Sequence, residues 1–570
     1  MLLQALRDYS TRLDDLGPPM YKRTPIKYEV QLDVEGNPIG LVTLTGGEEL
    51  RADRGLPMLV PLLVRTSGIK PILLADRGDY ALGWGDGPRT AQAHRGFIDL
   101  VSECADTTGE RDVFAVVHYL AQPDELRIPM PADADPQANV TFSVEGRWPI
   151  DSPAVRAFWA MKADRSASAG DGETMMECIV CGERRPPLRR MPIMIKGLGP
   201  VGGQSSGAAL VSANVDVFES FHLKNNHIAP MCSDCAERVS KALNALIEDE
   251  SSRLYLGRVL YVFWTREPTS FAWGTLLSRA DPGQVEALLT AAYRGRSGAM
   301  TLDATAFYCV GLSGSGGRVA VRGWIDTTVS EASQNLARYF ALQRLVDIRS
   351  SDQRYFGIRS LADATIREGS KDPPLPDVPQ ALMRLALRGG ALPMSLVAQV
   401  IRRIRAGQVV NYQQAALIKM VLASQQSEGW ETFMVGLDEQ NRDPAYLCGR
   451  LLAVLDVIQR EALGERNATI IDRFFGSAST APLSVFGRLT RGAQPHLARL
   501  RRDKPGAYIA LERRMQDILA GIGAFPRTLS LREQGVFVLG YYHQRAADAE
   551  GRRQGAAARR ANDSTPENEG

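Results

Sequence analysis

Four of the seven cysteines stand in two Cys-x-x-Cys pairs, and no other feature of the sequence constrains the fold as strongly. The pairs are Cys178 with Cys181 and Cys232 with Cys235, separated by 50 residues. A two-residue spacer lets one tight turn present both thiolates to a single ion, and four thiolates complete a tetrahedral structural zinc site. The usual separation between such pairs is roughly 15 to 20 residues. We therefore expect the intervening stretch to fold as a long insertion held together by zinc.

Other interpretations of the cysteines stay open. The thiols could be reduced and unliganded within a core, or one pair could be a redox motif, although the strand and helix pattern of a thioredoxin-like site is missing. His222 and His227 lie near the second pair and could replace a cysteine as a ligand, but four thiolates already suffice. An odd number of cysteines in this spacing makes a disulfide framework a poor explanation.

A chain of 570 residues is too long for one hydrophobic core, and its patterns predict several domains of the α+β class. Alternating apolar and polar residues over 26–45 predict a hairpin around 35–38. Strand patterns at 306–310 and 319–324 flank the glycine-rich segment 314–317, which lacks the spacing of a dinucleotide-binding motif and is better interpreted as a hairpin turn. Four prolines within 371–379 then interrupt regular structure.

Beyond the proline-rich segment the apolar residues recur with a helical period, as at Leu396, Val400 and Ile404, which predicts a helical bundle. Residues 546–570 lack apolar periodicity, and we expect a disordered tail there. The predicted organisation is a mixed α/β N-terminal region (1–162), an insertion with the cysteine pairs (163–250), a second α/β part (251–370), a helical bundle (380–545) and the tail (546–570).

The sequence shows no recognisable catalytic constellation. None of the six histidines belongs to a His-Glu-x-x-His helix, and no nucleophile elbow is present. The interrupted apolar runs are far shorter than the roughly 20 residues needed to cross a bilayer, and the N-terminus does not have the pattern of a secretory signal. We therefore expect a non-enzymatic cytoplasmic protein without a membrane segment.

Two segments concentrate basic residues, although the whole chain has 67 basic and 65 acidic side chains. Residues 481–527 contain nine basic residues against three acidic ones, and within helices this bias would form a positive stripe. The other segment follows the first cysteine pair and leads into a glycine- and serine-rich stretch, which suits a phosphate backbone but equally fits a solvated basic loop. The candidate nucleic-acid-binding residues are Arg184, Arg185, Arg189, Arg190, Lys196, Gln204, Ser205 and Ser206 in one segment and Arg488, Arg491, Arg501, Arg502 and Lys504 in the other.

Short segments distributed in order over almost the whole chain form a further pattern. They lie at 2–9, 71–76 with 80–83, 203–208 with 218–220, 263–264, 449–455, 467–473, 475–480 and 540–544. In this order they resemble the large subunit of the subtype I-C CRISPR RNA-guided surveillance complex (Cascade). The resemblance implies a non-catalytic subunit at the 5′-handle end of the CRISPR RNA, which contacts the protospacer-adjacent motif of target double-stranded DNA, helps to open it and recruits a separate helicase-nuclease. Base pairing then reads the sequence, while the protein reads the short flanking motif.

The resemblance also implies partners and site residues. The partners are the Cascade backbone and RNA-processing subunits and a small subunit, which in this family is made separately from an internal translation start. We take Met434 as that start and Met420 as the alternative. The early loop with Lys70 and Arg77 would contact base pairs or phosphates beside the protospacer. Cysteine pairs occur in only some members, so we expect zinc to stabilise the insertion.

Two hypotheses from other functional classes compete with this one. The chain could be a zinc-containing nuclease that acts alone, which predicts chelator-sensitive cleavage of duplex DNA by the purified protein. It could instead be a zinc-ribbon scaffold without nucleic-acid contact, which predicts no salt-dependent binding to any nucleic acid.

Overall fold

The computed structural model describes residues 1–13, 17–46, 55–63, 68–168, 175–268, 273–294, 305–350, 352–464 and 469–563. They form two compact units. Unit 1 comprises Met1–Glu248 with Gly314–Ala320, and unit 2 comprises Asp249–Ser313 with Val321–Gly570. About 50% of the chain is helix and 15% is strand, and the C-terminal region is helical. The predicted α+β class is therefore confirmed.

Unit 1 is built around a four-stranded sheet of order β3-β2-β6-β5, in which β2 and β6 run parallel. Strands β2 and β3 form the hairpin predicted over 26–45, and β1 pairs with β4 in a separate two-stranded sheet. The alternating apolar residues Val30 and Leu32 face a core that they share with Phe97 and Phe142. The elements of unit 1 are α1 (Leu2–Ser10), β1 (Tyr21–Ile26), β2 (Tyr28–Leu32), β3 (Pro38–Thr43), β4 (Leu56–Pro61), β5 (Ala75–Arg77), α2 (Gly78–Ala81), α3 (Pro88–Thr108), α4 (Arg111–Ala121), β6 (Asn139–Val144), α5 (Pro153–Ser168), β7 (Met176–Glu177), β8 (Arg184–Arg185) and α6 (Ser233–Glu248).

Unit 2 combines a four-stranded sheet of order β12-β11-β10-β9 with the helices that follow it. Strands β11 and β12 are neighbours in this sheet and enclose the turn 316–317, so the glycine-rich segment lies at a hairpin as predicted. The elements of unit 2 are β9 (Arg253–Leu256), β10 (Val259–Thr265), α7 (Trp273–Ser278), α8 (Pro282–Arg294), β11 (Ala306–Ser315), β12 (Arg318–Thr328), α9 (Val329–Ala341), α10 (Ile358–Asp363), α11 (Asp377–Arg388), α12 (Ser395–Gly407), α13 (Tyr412–Ser424), α14 (Pro444–Leu463), α15 (Ile470–Ala478), α16 (Pro482–Asp503), α17 (Pro505–Gly521) and α18 (Leu531–Asp563).

A single hydrophobic core runs through unit 2, from Leu256 on β9 to Ala546 on α18. At its centre α14 and α18 approach until their backbones touch. A Cβ atom on Gly449 would lie 2.0 Å from the carbonyl oxygen of Phe537, and one on Gly540 would lie 2.2 Å from that of Tyr446. Only glycine permits this spacing, because real Cβ atoms do not come so close to backbone atoms.

Polar side chains cross-link the same two helices. The Tyr446 hydroxyl lies 3.0 Å from His543 Nδ1, and Arg450 Nε donates to Gln544 Oε1 at 3.1 Å, all in buried surroundings. Burial lowers the pKa of His543 to about 3, so its imidazole is neutral. The segments 449–455 and 540–544, which carry the resemblance, therefore meet in the core.

The side chain of Lys419 on α13 is fully buried in this core. Its Nζ donates to the carbonyl oxygen of Leu342 at 3.0 Å. Burial lowers the pKa of Lys419 to about 7, and the positive charge of Arg344 adds to the effect. The folded state therefore favours the neutral amine.

The helices differ from the predicted boundaries at three places. Helix α5 continues through Ser168, beyond the predicted boundary at 162/163, and residues 169–174 lie outside the described residues. Helix α11 begins at Asp377 rather than at 380, because Pro379 is tolerated in a first helical turn. Helix α18 extends to Asp563, which corrects the disordered tail expected from 546; residues 564–570 lie outside the described residues.

The extension of α18 has a physical reason. Alanine and arginine are strong helix formers, and Arg553 anchors the helix by donating to the carbonyl oxygen of Ile348 at 2.6 Å. Arg553 also forms an ion pair with Glu550, one turn earlier. Apolar periodicity alone does not detect such a helix.

Among the helices that the structure describes, none has a stretch long and apolar enough to cross a bilayer.

Candidate metal centre and basic surfaces

The four cysteines of the two Cys-x-x-Cys pairs converge in unit 1. The Sγ atoms of Cys178, Cys181, Cys232 and Cys235 all lie within 4.8 Å of one another, and the Sγ atoms of Cys181 and Cys232 are 4.0 Å apart. Zinc–sulfur bonds of about 2.3 Å give a tetrahedron with edges of about 3.8 Å, so the thiols are close to coordinating positions. The cluster could hold a metal ion, and the predicted convergence of the two pairs is confirmed.

The first pair is shaped by a short hairpin. Strands β7 and β8 pair on either side of it, and the amide of Cys178 donates to the carbonyl oxygen of Glu183 at 2.9 Å. The amide of Gly182 turns back to the carbonyl oxygen of Cys178 at 2.8 Å, with φ of +75° at Gly182. Glycine adopts this left-handed conformation without a steric penalty, so the turn directs both thiols to one side.

The second pair is held at the start of a helix. Cys235 lies in the first turn of α6, and the amide of Ala236 donates to the carbonyl oxygen of Cys232 at 3.0 Å. The amide of Cys232 is 3.5 Å from Cys178 Sγ, which ties the two pairs together. The positive end of a helix favours thiolate over thiol. This environment suits coordination by deprotonated sulfur.

The thiols perturb one another as closely spaced acids do. Hydrogen bonding from the Cys235 thiol lowers the pKa of Cys232 to about 5, against the opposing effect of burial. The same hydrogen bond raises the pKa of Cys235 strongly, and burial adds to that rise. Negative charge thus concentrates on one sulfur, and a divalent cation would stabilise the remaining thiolates. Four protein ligands would complete its coordination and leave no position for a substrate.

The two candidate histidine ligands are not part of this cluster. Within the part of the chain that the structure describes, the group of metal-binding side chains consists of the four cysteines alone. His222 is exposed and His227 is partly exposed, both in the segment before α6. Sequence proximity to Cys232 does not bring either imidazole to the thiols.

The glycine- and serine-rich stretch of the insertion forms an exposed turn. Gln204, Ser205 and Ser206 are exposed, and Gly203 beside them forms a bridge with Gly316 of the hairpin tip that belongs to unit 1. A Cβ atom on Gly314 would lie 2.1 Å from the amide nitrogen of Gly203. Close backbone packing at these glycines explains their presence, since the three polar side chains beside them point to solvent.

The five candidate basic residues between the cysteine pairs are all exposed. Arg184 and Arg185 form β8 directly beside the cysteine cluster, and Arg185 is held by Glu183, with Nε donating at 2.7 Å. Arg189, Arg190 and Lys196 follow on the same segment and are exposed. The structure leaves these cations accessible, as an interface with a polyanion requires.

Arg77 does not have a free guanidinium. It forms a bidentate ion pair with Asp79, with Nε and Nη2 donating at 3.0 and 2.6 Å, and Nη1 donates to Gln137 Oε1 at 2.5 Å. The guanidinium also lies over the ring of Tyr80. A contact from Arg77 to a guanine would require it to leave Asp79. Arg77 is the last residue of β5, and Lys70, in the segment before this strand, is exposed.

Helix α16 carries a basic face opposite its buried one. Arg488, Arg491, Arg499 and Arg502 are spaced 3, 8 and 3 residues apart and are exposed, which places them on one side of a helix with 3.6 residues per turn. Arg491 makes no hydrogen bond or ion pair with any described residue. We call these four residues the α16 stripe.

The C-terminal end of α16 is partly neutralised. Asp503 accepts from Arg502 Nε at 2.8 Å and from Arg499 Nε at 3.4 Å. Lys504 Nζ forms an ion pair with Glu461 Oε2 at 2.9 Å. Arg501 lies on a different side of α16 from the α16 stripe. The free positive charge of the helix is therefore concentrated towards Arg488 and Arg491.

Sequence reasoning missed two features of these surfaces. Arg499 belongs to the α16 stripe, and helical spacing from Arg488 and Arg491 is the signal that would have identified it. Asp79, two residues from Arg77, was a local signal for the ion pair. Gln137 is 60 residues away from Arg77, and no local pattern indicates that contact.

Met434, the proposed internal start, lies in the segment between α13 and α14 and is partly buried against the unit 2 core. Met420 lies inside α13 and is fully buried. A chain that starts at Met434 would contain α14 to α18 complete, whereas one that starts at Met420 would begin in the middle of a helix.

Comparison with known protein families places this two-unit chain in the class of the CRISPR-associated proteins. Residues 4–548 match the family described as CRISPR-associated protein (Cas_Csd1). The chain belongs to this family, that of the type I-C large subunit. No curated protein matches the chain. The resemblance found in the sequence is thereby confirmed.

Proposed function

We propose that this chain is a non-catalytic, nucleic-acid-binding subunit of a type I-C interference complex. In this proposal it recognises the protospacer-adjacent motif of target DNA, aids duplex opening and recruits a separate helicase-nuclease. The family match over residues 4–548 carries the proposal. The partners are the CRISPR RNA, the target DNA and the other subunits of the complex.

The α16 stripe supports the nucleic-acid part of the proposal. Its four guanidinium groups lie on one exposed helix face, and Arg488 and Arg491 are free of carboxylate partners among the described residues. Forked donors of this kind suit phosphate oxygens. The exposed cations at 184–196 provide a second surface of the same sign, so the near-neutral charge of the whole chain does not argue against DNA or RNA.

The closed cysteine cluster supports a structural metal, and zinc is the ion proposed. Four thiolates are the donor set of structural zinc sites, whereas catalytic zinc keeps one position for water or substrate. Zinc here would fasten the segment between the cysteine pairs, 182–231, to the start of α6. Cleavage in the proposal belongs to the recruited partner.

The position of Met434 supports a second product from the same gene region. A chain from Met434 would keep the helices α14 to α18 and the close approach of Gly449 to Phe537 and of Gly540 to Tyr446. A Western blot against the C-terminus should show a short product that disappears in Met434→Leu and persists in Met420→Leu. A blot without any short product would refute this part.

A mobility shift with the assembled complex tests the proposal. Target duplexes that differ only beside the protospacer should bind with different affinities, and cleavage should require the helicase-nuclease. Cleavage of duplex DNA by this chain alone, abolished by a chelator, would favour a zinc nuclease instead. Equal binding of all duplexes would exclude recognition of the flanking motif.

A further inference from the structure

A group of exposed apolar side chains in the insertion belongs to none of the surfaces described above. Val215, Val217, Phe218 and Phe221 lie close together in the sequence, and their exposed fractions are 44%, 82%, 43% and 91%. Phe221 is the most exposed large apolar side chain among the described residues. Single exposed apolar residues are ordinary, but a group of them indicates an interaction surface.

Phe221 stands at the tip of a tight turn, residues 220–223, which we call the Phe221 turn. The amide of Leu223 donates to the carbonyl oxygen of Ser220 at 2.9 Å, and these two residues form an antiparallel bridge. The φ angles of Phe221 and His222 are +53° and +61°, as in a type I′ turn, whose central positions favour asparagine and glycine. A bulky residue with positive φ carries a steric cost. Because such strain concentrates at functional sites, the aromatic ring at the tip requires a reason beyond the turn itself.

The base of the Phe221 turn is fixed. The guanidinium of Arg318, from the hairpin tip that belongs to unit 1, lies 4.6 Å from the ring centroid of Phe218. Oε1 of Glu219 accepts from the amide of Asn225 at 3.2 Å. The ring of Phe218 is therefore engaged by a cation, whereas the ring of Phe221 makes no such contact with a described residue. A tip held in place before binding loses little conformational entropy when a ligand contacts it.

Unpaired cations surround the base of the turn. Lys224 follows it directly, and Arg189 lies beside it, because the carbonyl oxygen of Arg189 accepts from the amide of Asn226 at 3.3 Å. The side chains of Lys224, Arg189 and the adjacent Arg190 are exposed and form no ion pair with any described residue. These cations can therefore contact a polyanion beside the exposed ring.

The carboxylates of this region are fewer than its cations. Residues 184–231 contain six basic side chains against two acidic ones, Asp216 and Glu219, and Glu219 is engaged by the amide of Asn225. An aromatic ring next to unpaired cations is typical of sites for single-stranded nucleic acid, where bases stack and phosphates meet positive charge. Lysine is depleted in protein–protein interfaces, so the cations favour a nucleic acid over a protein partner.

We propose that the Phe221 turn binds a single-stranded nucleic acid, with an unpaired base stacked on the ring of Phe221 and the neighbouring phosphates contacted by Lys224 and Arg189. Every base has a π face, so the site accepts any sequence. The inference rests on the proposed function in taking the ligand to be a nucleic acid, and it concerns the unpaired strand, not the flanking motif of the duplex.

Titration of the full-length chain into a fluorescent oligothymidylate of about twelve residues, followed by anisotropy at low salt, tests the site. Phe221→Asn should weaken binding roughly fivefold or more without lowering the melting temperature, because asparagine adopts positive φ more readily than phenylalanine. Phe221→Trp should keep the affinity, since it retains an aromatic ring. Phe114→Asn is the matched control, because Phe114 is an exposed phenylalanine on α4, outside the insertion; it should change binding less than about twofold.

The cations have a separate readout. Lys224→Gln with Arg189→Gln should reduce the slope of log affinity against log salt by roughly 1.4, because each phosphate contact to a single strand contributes about 0.7. An unchanged slope would overturn the assignment of phosphates to these two residues.

The inference is overturned if the wild-type chain does not bind the oligothymidylate, if Phe221→Asn binds it as tightly as the wild type, or if Phe114→Asn weakens binding equally. It is also overturned if Phe221→Asn still binds the oligothymidylate but no longer enters the assembled complex, which would assign the turn to a protein partner. Equal binding of duplexes with different flanking motifs would refute the proposed function, whereas a specific loss in Phe221→Asn would still support the stacking site.

Discussion

Removal of two thiols that come from opposite pairs should release the metal and loosen the insertion. In Cys178→Ser with Cys232→Ser, each pair loses one ligand, and serine does not replace a thiolate in a structural zinc site. The double variant is therefore expected to bind no zinc. Since thiols must be deprotonated to coordinate, the wild-type site should also lose zinc as the pH falls below neutrality.

The size of the destabilisation in the double variant follows from the length of the loop that the metal closes. A link between Cys178 and Cys232 closes a loop of about 54 residues, and the chain-entropy relation for cross-links assigns roughly 4 kcal/mol to a loop of that length. For a unit of about 250 residues, each kcal/mol shifts the melting temperature by roughly 2–4 °C. The variant should therefore melt roughly 8–16 °C below the wild-type unit 1.

Elemental analysis and thermal unfolding of the full chain measure both effects. Cys104→Ala is the control for metal content, because Cys104 is buried in a different cluster of unit 1 and should leave the zinc stoichiometry at one. Wild-type protein without zinc would refute the metal assignment. A zinc-loaded wild type whose melting temperature matches that of the double variant would refute the structural role.

Three further predictions address the core and the α16 stripe. Gly540→Ala should destabilise unit 2 by roughly 1–3 kcal/mol, because its Cβ would lie 2.2 Å from a carbonyl oxygen, whereas Gly551→Ala on the same helix has open space and should stabilise it by roughly 0.5–1 kcal/mol in urea unfolding. Burial holds the pKa of Lys419 in the folded chain near 7. Between pH 7 and about 10 the unfolded chain keeps a proton on Lys419 that the folded chain has lost, so the free energy of unfolding rises with pH in this range. Lys419→Met should therefore be more stable than wild type at pH 7, and its advantage should shrink by roughly 2 kcal/mol at pH 9; an advantage that does not change with pH would contradict a depressed pKa. Arg488→Gln with Arg491→Gln should lower the salt dependence of DNA binding by the complex, reducing the log–log slope by roughly 2, whereas Arg513→Gln on α17 should leave it unchanged.

The cysteine pairs and the hairpins could be predicted because their signals are local. A two-residue spacer between cysteines and alternating residues around a turn restrict the nearby backbone directly. The two cysteine pairs therefore converge as predicted, and the hairpin of β2 with β3 forms where the pattern places it.

Contacts between distant segments could not be predicted from local sequence signals. Gly449 and Gly540 carry no pattern that reveals the close approach of α14 and α18. Arg77 donates a hydrogen bond to Gln137, which is 60 residues away in the sequence. The helix after residue 546 depends on alanine propensity and on the bond from Arg553 to Ile348, not on apolar periodicity.

Assembly of the type I-C complex with and without this chain tests the central claim most directly. The measurement is the ratio of affinities for two target duplexes that share the protospacer and differ only in the flanking motif. We predict that the complete complex discriminates between the duplexes and that the complex without this chain binds them equally. Equal discrimination by both assemblies would contradict the assignment of motif recognition to this subunit.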